Sequence, residues 1–361
     1  MDFFHDPDVD AARRNDGRLK AGPWILRLPR LLGFCGGVIH AVRTVQEVIE
    51  DNPGRHVWML GEIIHNDTVN NSFRHNGVTI LDEDEVTTAL PKIQPGDIVV
   101  IPAFGVEEDL DRQLRKLNKE MAIVDTTCPK VKHIWDLLEQ HAGEKRTIVI
   151  HGKPAHPETR ATLSRVLHPD NAAILVPDIS HSEQLAHAIL RNDLTAYPSN
   201  LVKHPARIRL DHLALVNQTT MLFNETKKIE LILRGAVKER GGTLLSSETV
   251  CRATQLRQDA AREVCDDACD LILVIGGYSS SNTTQLYRVA SVTAPTYFIN
   301  NSGCLEKDRI SHYVPADQKA VTSHEWLPPP GAKIGLLAGA SCPASDIGDV
   351  IRRLRELSPS G

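Results

Sequence analysis

Short apolar runs of strand length recur along the whole chain. They occupy residues 56–64, 97–102, 122–124, 147–150, 173–176, 213–216, 271–275, 297–299 and 333–337. Stretches with helical periodicity lie between many of them, as at 130–143, 225–241 and 255–270. Strands that alternate with helices are typical of βαβ units, so the pattern predicts an α/β fold with largely parallel sheets.

The length of the chain predicts several lobes. With 361 residues, it is too long for one ordinary core. We predict three similar α/β lobes at 36–127, 128–248 and 249–356, and a strand within 23–35 could pack on the third lobe. Residues 1–22 are acidic and polar and are predicted to be a flexible N-terminal extension.

Charge and hydropathy exclude two classes of partner. The formal net charge is −5 and the basic residues are dispersed, whereas general nucleic-acid binders carry a basic patch. No run of about 18 apolar residues is present, so no membrane span is predicted. Seven cysteines without a secretion signal favour metal or redox chemistry over disulfides, and we predict a cytoplasmic protein.

Three of the cysteines lie in turns between predicted elements. Cys35, Cys128 and Cys251 have Gly, Thr or Pro nearby, and none belongs to a C-x-x-C pair. Soft thiolates in this setting suit zinc or an iron–sulfur cluster. One ligand from each lobe would leave a fourth iron open as a Lewis acid, by the logic of catalytic zinc sites. The alternative is three ordinary buried thiols. No role is assigned to Cys265, Cys269, Cys304 and Cys342.

A loop rich in Gly and Ser predicts an anion site. Residues 276–283, Gly-Gly-Tyr-Ser-Ser-Ser-Asn-Thr, follow an apolar run and open a helix. Backbone N–H groups and hydroxyls at such a place can bind a phosphate. Helix capping by Ser or Asn is the alternative explanation for one or two of these residues. Ser341, His65 and His156 also follow apolar runs and could complete the pocket.

One acidic residue is the candidate proton donor. Glu158 lies in a polar segment after an apolar run, and a carboxyl shielded in a closed pocket can have a raised pKa. A surface salt bridge to Arg160 is equally compatible with the sequence. Thr219 could relay a proton or orient a substrate hydroxyl, or it could cap the helix that begins near Phe223.

The motifs taken together resemble one known family. In chain order they are Gly33-Phe34-Cys35-Gly36-Gly37-Val38, His65-Asn66, Asp125-Thr126-Thr127-Cys128-Pro129, His156-Pro157-Glu158, Gln218-Thr219-Thr220, Ser280-Ser281-Asn282 and Ala338-Gly339-Ala340-Ser341. No single motif is specific, but their number and order resemble the 4-hydroxy-3-methylbut-2-enyl diphosphate reductase family, also called LytB or IspH. The resemblance covers residues 24–355.

The resemblance implies a fold, a cofactor and a reaction. The fold would be three α/β lobes in a trefoil around one central four-iron four-sulfur cluster, with Cys35, Cys128 and Cys251 as its ligands. The activity would be that of an oxidoreductase in the non-mevalonate isoprenoid pathway. Such an enzyme removes the hydroxyl of 4-hydroxy-3-methylbut-2-enyl diphosphate and gives isopentenyl and dimethylallyl diphosphate. The electrons would come from an external ferredoxin or flavodoxin.

The resemblance also implies roles for the other candidates. Glu158, with Thr219, would supply the protons. The residues that would hold the diphosphate are His65, His156, Ser280, Ser281, Asn282 and Ser341.

Some positions depart from the family pattern. Phe104-Gly105 stands where the family has a His-Gly pair whose histidine contacts the diphosphate. Loss of a hydrogen bond to a charged group typically costs about 1.5–3 kcal/mol, which lowers affinity about tenfold to a hundredfold. Leu31-Leu32 and Ile39-His40 also differ from the usual residues around the first cysteine motif. The changes suggest a divergent member.

Three functions follow from these observations. In the first, the chain is a true diphosphate reductase that tolerates Phe104. In the second, Phe104 faces an apolar group, and the same reductive dehydroxylation acts on a different substrate. In the third, the thiolates hold a structural zinc or a sensing cluster and no reaction occurs. The presence of Glu158 and Thr219 favours the first two, because a sensor does not need a buried proton source.

Overall fold

The chain folds as alternating strands and helices, which confirms the predicted α/β class. A computed structural model describes residues 2–117, 121–167 and 171–358. The chain divides into two units. The first unit comprises Met1–Arg43, Ile64–Val78 and Arg252–Gly361, and the second comprises Thr44–Ile63 and Thr79–Cys251.

The strands are short and spread along the chain. In chain order they are β1 (Arg18–Ala21), β2 (Trp24–Arg27), β3 (Val57–Leu60), β4 (Val78–Leu81), β5 (Ile98–Ile101), β6 (Ala122–Asp125), β7 (Thr147–His151), β8 (Ala173–Val176), β9 (Val202–Lys203), β10 (His212–Asn217), β11 (Thr243–Ser246), β12 (Leu271–Ile275), β13 (Thr296–Ile299), β14 (Arg309–Val314), β15 (Lys319–His324) and β16 (Lys333–Ala338).

Helices follow most of these strands. In chain order they are α1 (Pro7–Arg14), α2 (Gly36–Asp51), α3 (Asp67–His75), α4 (Glu83–Ala89), α5 (Glu108–Leu117), α6 (Pro129–Gly143), α7 (Pro157–Leu167), α8 (Ile179–Arg191), α9 (Phe223–Glu239), α10 (Arg252–Asp266), α11 (Ser281–Ala290) and α12 (Ala344–Glu356). Within the described ranges, none of the helices combines the length and the apolar character needed to cross a bilayer.

The strands form three sheets. The first unit contains a seven-stranded sheet in the order β1-β2-β16-β12-β13-β14-β15. The second unit contains a five-stranded sheet in the order β11-β10-β7-β8-β9. A four-stranded sheet in the order β4-β3-β5-β6 also lies in the second unit, apart from Val78. The central strands β2, β16, β12 and β13, the strands β11, β10, β7 and β8, and the strands β3, β5 and β6 pair in parallel.

Several strands inside the sheets are apolar and buried along their whole length. Every residue of β5, β8 and β12 is buried. Strands of this kind belong to parallel sheets that are covered by helices on both faces. The carboxyl ends of parallel strands lie at one edge of a sheet, and ligands bind there in open α/β sheets. The loops after these strands are therefore the expected location of a binding site.

Each sheet falls largely within one of the predicted lobes. Strands β3–β6 lie in 36–127, β7–β11 in 128–248 and β12–β16 in 249–356. Strand β2 pairs with β16, as suggested for a strand within 23–35. The lobe boundaries themselves stay a prediction, because the two units divide the chain differently and α3 belongs to the first unit.

The N-terminal segment, which we expected to be a flexible extension over residues 1–22, is folded where it is described. Asp6 caps α1 by accepting from the N–H groups of Asp8 and Val9, and strand β1 pairs with β2. Phe3 is only 1% exposed, and its carbonyl accepts the N–H of Ala344 at 2.9 Å. The expectation failed because composition averages over the segment, whereas its few apolar side chains are the ones that pack.

Acid–base pairs hold the same segment against α12. Arg352 contacts Asp6 at 2.9 Å, and Arg355 contacts Asp8 at 2.7 Å. The acidic side chains of the segment therefore pair with arginines of α12. A local sequence pattern cannot predict this pairing, because the partners are distant in sequence.

Replacement of Phe3 tests this packing. Phe3→Ala removes a buried ring that packs edge-on against Phe73 at 6.4 Å. We expect the free energy of unfolding, measured by urea denaturation, to fall by about 3 kcal/mol, the lower end for a buried Phe→Ala change. His5→Ala, at an exposed position, should change it by less than about 0.5 kcal/mol. Equal stabilities of the two variants would contradict the packed arrangement.

Candidate functional site

The three predicted cysteine ligands occupy equivalent places in the fold. Cys35 directly precedes α2, Cys128 directly precedes α6 and Cys251 directly precedes α10. All three side chains are half-buried. Each thiol is therefore partly accessible and stands at the N-terminus of a helix, where the helix dipole favours a negative charge such as a thiolate.

The backbone of each cysteine is tied to the end of a different sheet. The N–H of Cys35 donates to the carbonyl of Ala340 at 3.1 Å, just after β16. The N–H of Cys128 donates to Ala103 at 3.0 Å, just after β5, and that of Cys251 to Thr219 at 2.9 Å, just after β10. In all three cases the acceptor is the second residue beyond its strand. The same local arrangement thus occurs once in each sheet.

The donor chemistry fits a thiolate-bound centre. Cys265, Cys269 and Cys342 are buried instead, and burial raises the pKa of the Cys269 thiol to about 11. Such thiols are poor ligands, because the thiolate is the binding form. Within the described residues, no three His, Cys, Asp or Glu side chains form a group that could hold a metal ion. Cys35 belongs to the first unit, and Cys128 and Cys251 belong to the second. Their joint role stays a prediction.

Several predicted anion-binding residues come together in the first unit. Ser280 caps α11, and its Oγ accepts from the Thr283 N–H at 3.3 Å. The Oγ of Ser341 lies 3.3 Å from the Oγ of Ser280 and 3.2 Å from the carbonyl of His65. The Oδ1 of Asn282 accepts from the N–H of Ala340 at 2.8 Å. We call Ser280, Ser281, Asn282, Ser341 and His65 the anion cradle.

Two buried donors of the anion cradle have no partner within the described part of the chain. These are the hydroxyl of Ser281, a residue 1% exposed, and the side-chain Nδ2 of Asn282, a residue 3% exposed. A buried polar group without a partner is costly, so such groups commonly await a ligand or water. Both lie in the first turn of α11, where an anion is favoured by the helix dipole.

A glycine allows the loop after β12 to approach His65. A Cβ added to Gly277 would lie 2.4 Å from the carbonyl oxygen of His65. Any other residue would force the two loops apart. Gly277 is therefore required for the packing of this loop against the His65 loop.

Glu158 and Thr219 form a buried pair in the second unit. Glu158 is 2% exposed. Its Oε1 accepts from the backbone N–H of Thr219 at 2.6 Å, and its Oε2 accepts from the Thr219 hydroxyl at 2.8 Å. Burial raises the pKa of Glu158 to about 7, although both hydrogen bonds lower it. A carboxyl of this kind can both hold and release a proton near neutral pH.

Neither the surface salt bridge suggested for Glu158 nor the helix cap suggested for Thr219 is present among these contacts. Arg160, suggested as a salt-bridge partner of Glu158, pairs with Glu107 at 3.4 Å. Helix α9 begins at Phe223 with Leu222 at the cap position, so Thr219 does not cap it. Thr219 also accepts the Cys251 N–H through its carbonyl. The same residue therefore contacts the candidate acid and a candidate metal ligand.

His156 is oriented by its own loop. Its Nδ1 accepts from the backbone N–H of Glu158 at 3.2 Å. In the neutral imidazole the other nitrogen, Nε2, then carries the proton and is a donor. Phe104 packs edge-on against this ring, with the centroids 5.5 Å apart at an interplanar angle of 83°. The departure at Phe104 thus lies beside a predicted diphosphate ligand.

Gln218 has a structural role that its motif did not predict. Its Oε1 accepts from the Lys153 N–H at 3.0 Å and from the Thr159 hydroxyl at 3.2 Å. It thereby connects the loop before α7 and the first turn of α7, which contains Glu158, to the loop that contains Thr219. Its place between a buried strand and Thr219, in a run of polar residues, was the signal available in the sequence.

Two solved structures are similar to this chain over most of its length. A solved reductase structure from Plasmodium falciparum matches with a TM-score of 0.66 at 23% identity, over 89% of this chain and 85% of that chain. It is described as E-1-hydroxy-2-methyl-but-2-enyl-4-diphosphate reductase. A structure of (E)-4-hydroxy-3-methyl-but-2-enyl diphosphate reductase, called the terminal enzyme of the non-mevalonate pathway, matches with a TM-score of 0.57 at 26% identity. That match covers 92% of this chain and 99% of the other.

Curated relatives are similar over nearly the full length. The 4-hydroxy-3-methylbut-2-enyl diphosphate reductase of Gloeobacter violaceus is 34% identical, over 98% of this chain and 88% of the relative. The protein of that name from Synechococcus sp. strain WH7803 is also 34% identical, over 97% of this chain and 90% of the relative. The family described as LytB protein matches residues 27–355. The resemblance seen in the motifs is thereby confirmed, and the chain belongs to the LytB protein family.

Proposed function

We propose that this chain is an iron–sulfur oxidoreductase that removes the hydroxyl group of 4-hydroxy-3-methylbut-2-enyl diphosphate. The products are isopentenyl and dimethylallyl diphosphate, formed in the last step of the non-mevalonate isoprenoid pathway. The relatives that match the chain over nearly its full length carry this activity in their names. The observation that carries the proposal is the buried Glu158 carboxyl, which accepts two hydrogen bonds from Thr219 and whose pKa is raised by burial.

The cofactor of the proposed reaction is one four-iron four-sulfur cluster. Its ligands are Cys35, Cys128 and Cys251, which share accessibility, helix position and backbone hydrogen bonding. When bound, such a cluster delivers electrons from an external ferredoxin or flavodoxin and provides a Lewis acid for the substrate oxygen. The proposed location is the cytoplasm, where thiols remain reduced.

The chain's donors hold the diphosphate. In the anion cradle, Ser281 and Asn282 offer the two buried donors without a partner in the described chain. Ser280, Ser341, His65 and His156 are the other proposed ligands of the diphosphate. Neutral donors of this kind bind an anion without a buried counter-charge. The hydroxyl end of the substrate is thereby oriented for cleavage.

Glu158 and Thr219 supply the protons. Cleavage of the C–O bond consumes two electrons and two protons, releases water and replaces the bond to oxygen by a bond to hydrogen. The proton on Oε2 of Glu158 can pass through the Thr219 hydroxyl, which lies 2.8 Å away and can act as donor and acceptor. The pair excludes water because both residues are buried.

An anaerobic turnover assay tests the proposed function. The wild type with a reductant should consume 4-hydroxy-3-methylbut-2-enyl diphosphate, and metal analysis should find four irons. Glu158→Gln should lower kcat by at least about a hundredfold, the usual contribution of an acid catalyst. Glu107→Gln is the matched control, since Glu107 is a half-exposed acid paired with Arg160. Iron-loaded protein without turnover would contradict the proposal, and bound zinc would favour a structural role.

The pH dependence of Thr219→Val tests the buried pair. The substitution removes the hydroxyl that donates to Glu158 and keeps the backbone N–H donor. A hydrogen bond to the charged form lowers a pKa, so its loss raises the pKa of Glu158 above about 7. Activity that requires the protonated acid falls as pH rises through this pKa. We expect the falling limb of kcat against pH to move upward by about one pH unit, since about 1.5 kcal/mol is lost. An unchanged limb would contradict the role of Glu158.

The contact between Phe104 and His156 supports a second candidate function. Here the same dehydroxylation acts on a substrate with an apolar group in place of one phosphate contact, because the Phe104 ring cannot donate a hydrogen bond.

Phe104→His separates the two candidates. If the diphosphate is the substrate, a new donor beside His156 should lower KM about tenfold and leave kcat nearly unchanged. Phe104→Leu, which adds no donor, should show no such gain. An unchanged or higher KM in Phe104→His would favour the other substrate class.

A further inference from the structure

Asn66 connects a buried acid to the anion cradle. It directly follows His65 and caps α3, where its Oδ1 accepts from the N–H of Val69 at 3.0 Å. Its side-chain Nδ2 donates to the Oδ2 of Asp346 at 3.1 Å. Asn66 is 2% exposed and Asp346 is 3% exposed. The amide of Asn66 is thus fixed at both ends, and one of these ends is a carboxyl on α12.

The backbone of His65 is held by its neighbours on both sides of the chain. The Ser341 hydroxyl lies 3.2 Å from the His65 carbonyl. Asn70, on α3, donates from its Nδ2 to the carbonyl of Ile64 at 2.9 Å. With the Asn66–Asp346 bond, these contacts determine where the His65 loop lies. Asp346 therefore acts on the anion cradle through Asn66, without being part of it.

The surroundings of Asp346 are unfavourable for a second negative charge. Burial raises the pKa of this carboxyl to about 6, and the charges of Asp349 on α12 and Asp67 on α3 raise it further. Hydrogen bonds from Asn66 and Thr68 lower it. The Cys342 thiol, in the turn before α12, has a pKa that burial and the charge of Asp346 raise. The groups around Asp346 thus resist negative charge.

We propose that Asp346 is a positioning residue for the His65 loop and that its carboxyl takes up a proton when a diphosphate binds in the anion cradle. This inference rests on the proposed function, because it takes His65 and Ser341 as diphosphate ligands. An anion close to a buried carboxylate disfavours the ionised form. The protonated acid can still accept from Asn66 through Oδ2, so the loop keeps its place while the local negative charge is reduced.

Binding of inorganic pyrophosphate to the cluster-containing protein tests this inference. The dissociation constant is measured anaerobically at pH 5.5 and pH 8 for the wild type and for Asp346→Asn, which resembles the protonated acid. Titration of pyrophosphate itself cancels in the ratio of the two constants. We expect nearly equal affinities at pH 5.5 and about tenfold weaker binding by the wild type at pH 8. Calorimetry in two buffers should show more proton uptake by the wild type than by Asp346→Asn, because the contribution of pyrophosphate is common to both.

Two further variants separate charge from positioning. Asp346→Leu removes the acceptor for Asn66 and should bind pyrophosphate more weakly than Asp346→Asn at both pH values. Glu356→Gln is the matched control, because Glu356 lies on the same helix with a side chain 64% exposed and is not among the charges that shift the pKa of Asp346. Its affinity relative to the wild type should not change with pH.

Several results would overturn the inference. If the ratio of the wild-type and Asp346→Asn dissociation constants is the same at both pH values, the proposed proton uptake is wrong. Equal binding by Asp346→Leu and Asp346→Asn would remove the positioning role. Failure of the wild type to bind pyrophosphate would remove both. Absence of turnover in the wild type would instead contradict the proposed function, since pyrophosphate binding involves no reaction.

Discussion

The hydrogen bond from each candidate cysteine to a carbonyl beyond a strand is the constraint on which the site depends. Cys35, Cys128 and Cys251 each donate their N–H to the second residue after a parallel strand. Two of these acceptor residues also contact candidate site residues through their own N–H groups. Ala340 donates to the Oδ1 of Asn282, and Thr219 donates to the Oε1 of Glu158. Each candidate cysteine is therefore joined to the loop after a strand by a backbone hydrogen bond, which does not depend on the identity of either side chain.

Much of the fold and the site could be predicted from local patterns. Buried parallel strands are continuous apolar runs, and the polar residues after them mark a binding edge. Ser281, Asn282 and Glu158 could be identified as candidate site residues in this way. Gln218, Asn66 and Asp346 could not be assigned roles, because their partners are distant in sequence and a buried polar residue looks like a surface residue without its partner. Phe3 was missed for the same reason, since the surface that buries it belongs to α3 and α12.

Two buried carboxyl groups in this chain meet the cost of desolvation in related ways. Glu158 accepts both hydrogen bonds from one residue, Thr219. Asp346 accepts from Asn66 and Thr68, and acids lie nearby. In both cases burial outweighs the hydrogen bonds, so the pKa rises. A group poised in this way responds to its neighbours, which makes the first suited to proton delivery and the second suited to sensing an added anion.

The pairing of β2 with β16 joins nearly opposite ends of the chain in one sheet. During synthesis, β2 leaves the ribosome long before β16, so the seven-stranded sheet cannot close until β16 has been made. The five-stranded sheet, by contrast, has all its strands by Ser246. The strands of the five-stranded sheet are therefore available for pairing before the seven-stranded sheet can close. Until β16 has been made, the inner edge of the β1–β2 hairpin lacks its partner strand. Unpaired strand edges of this kind tend to associate with other chains.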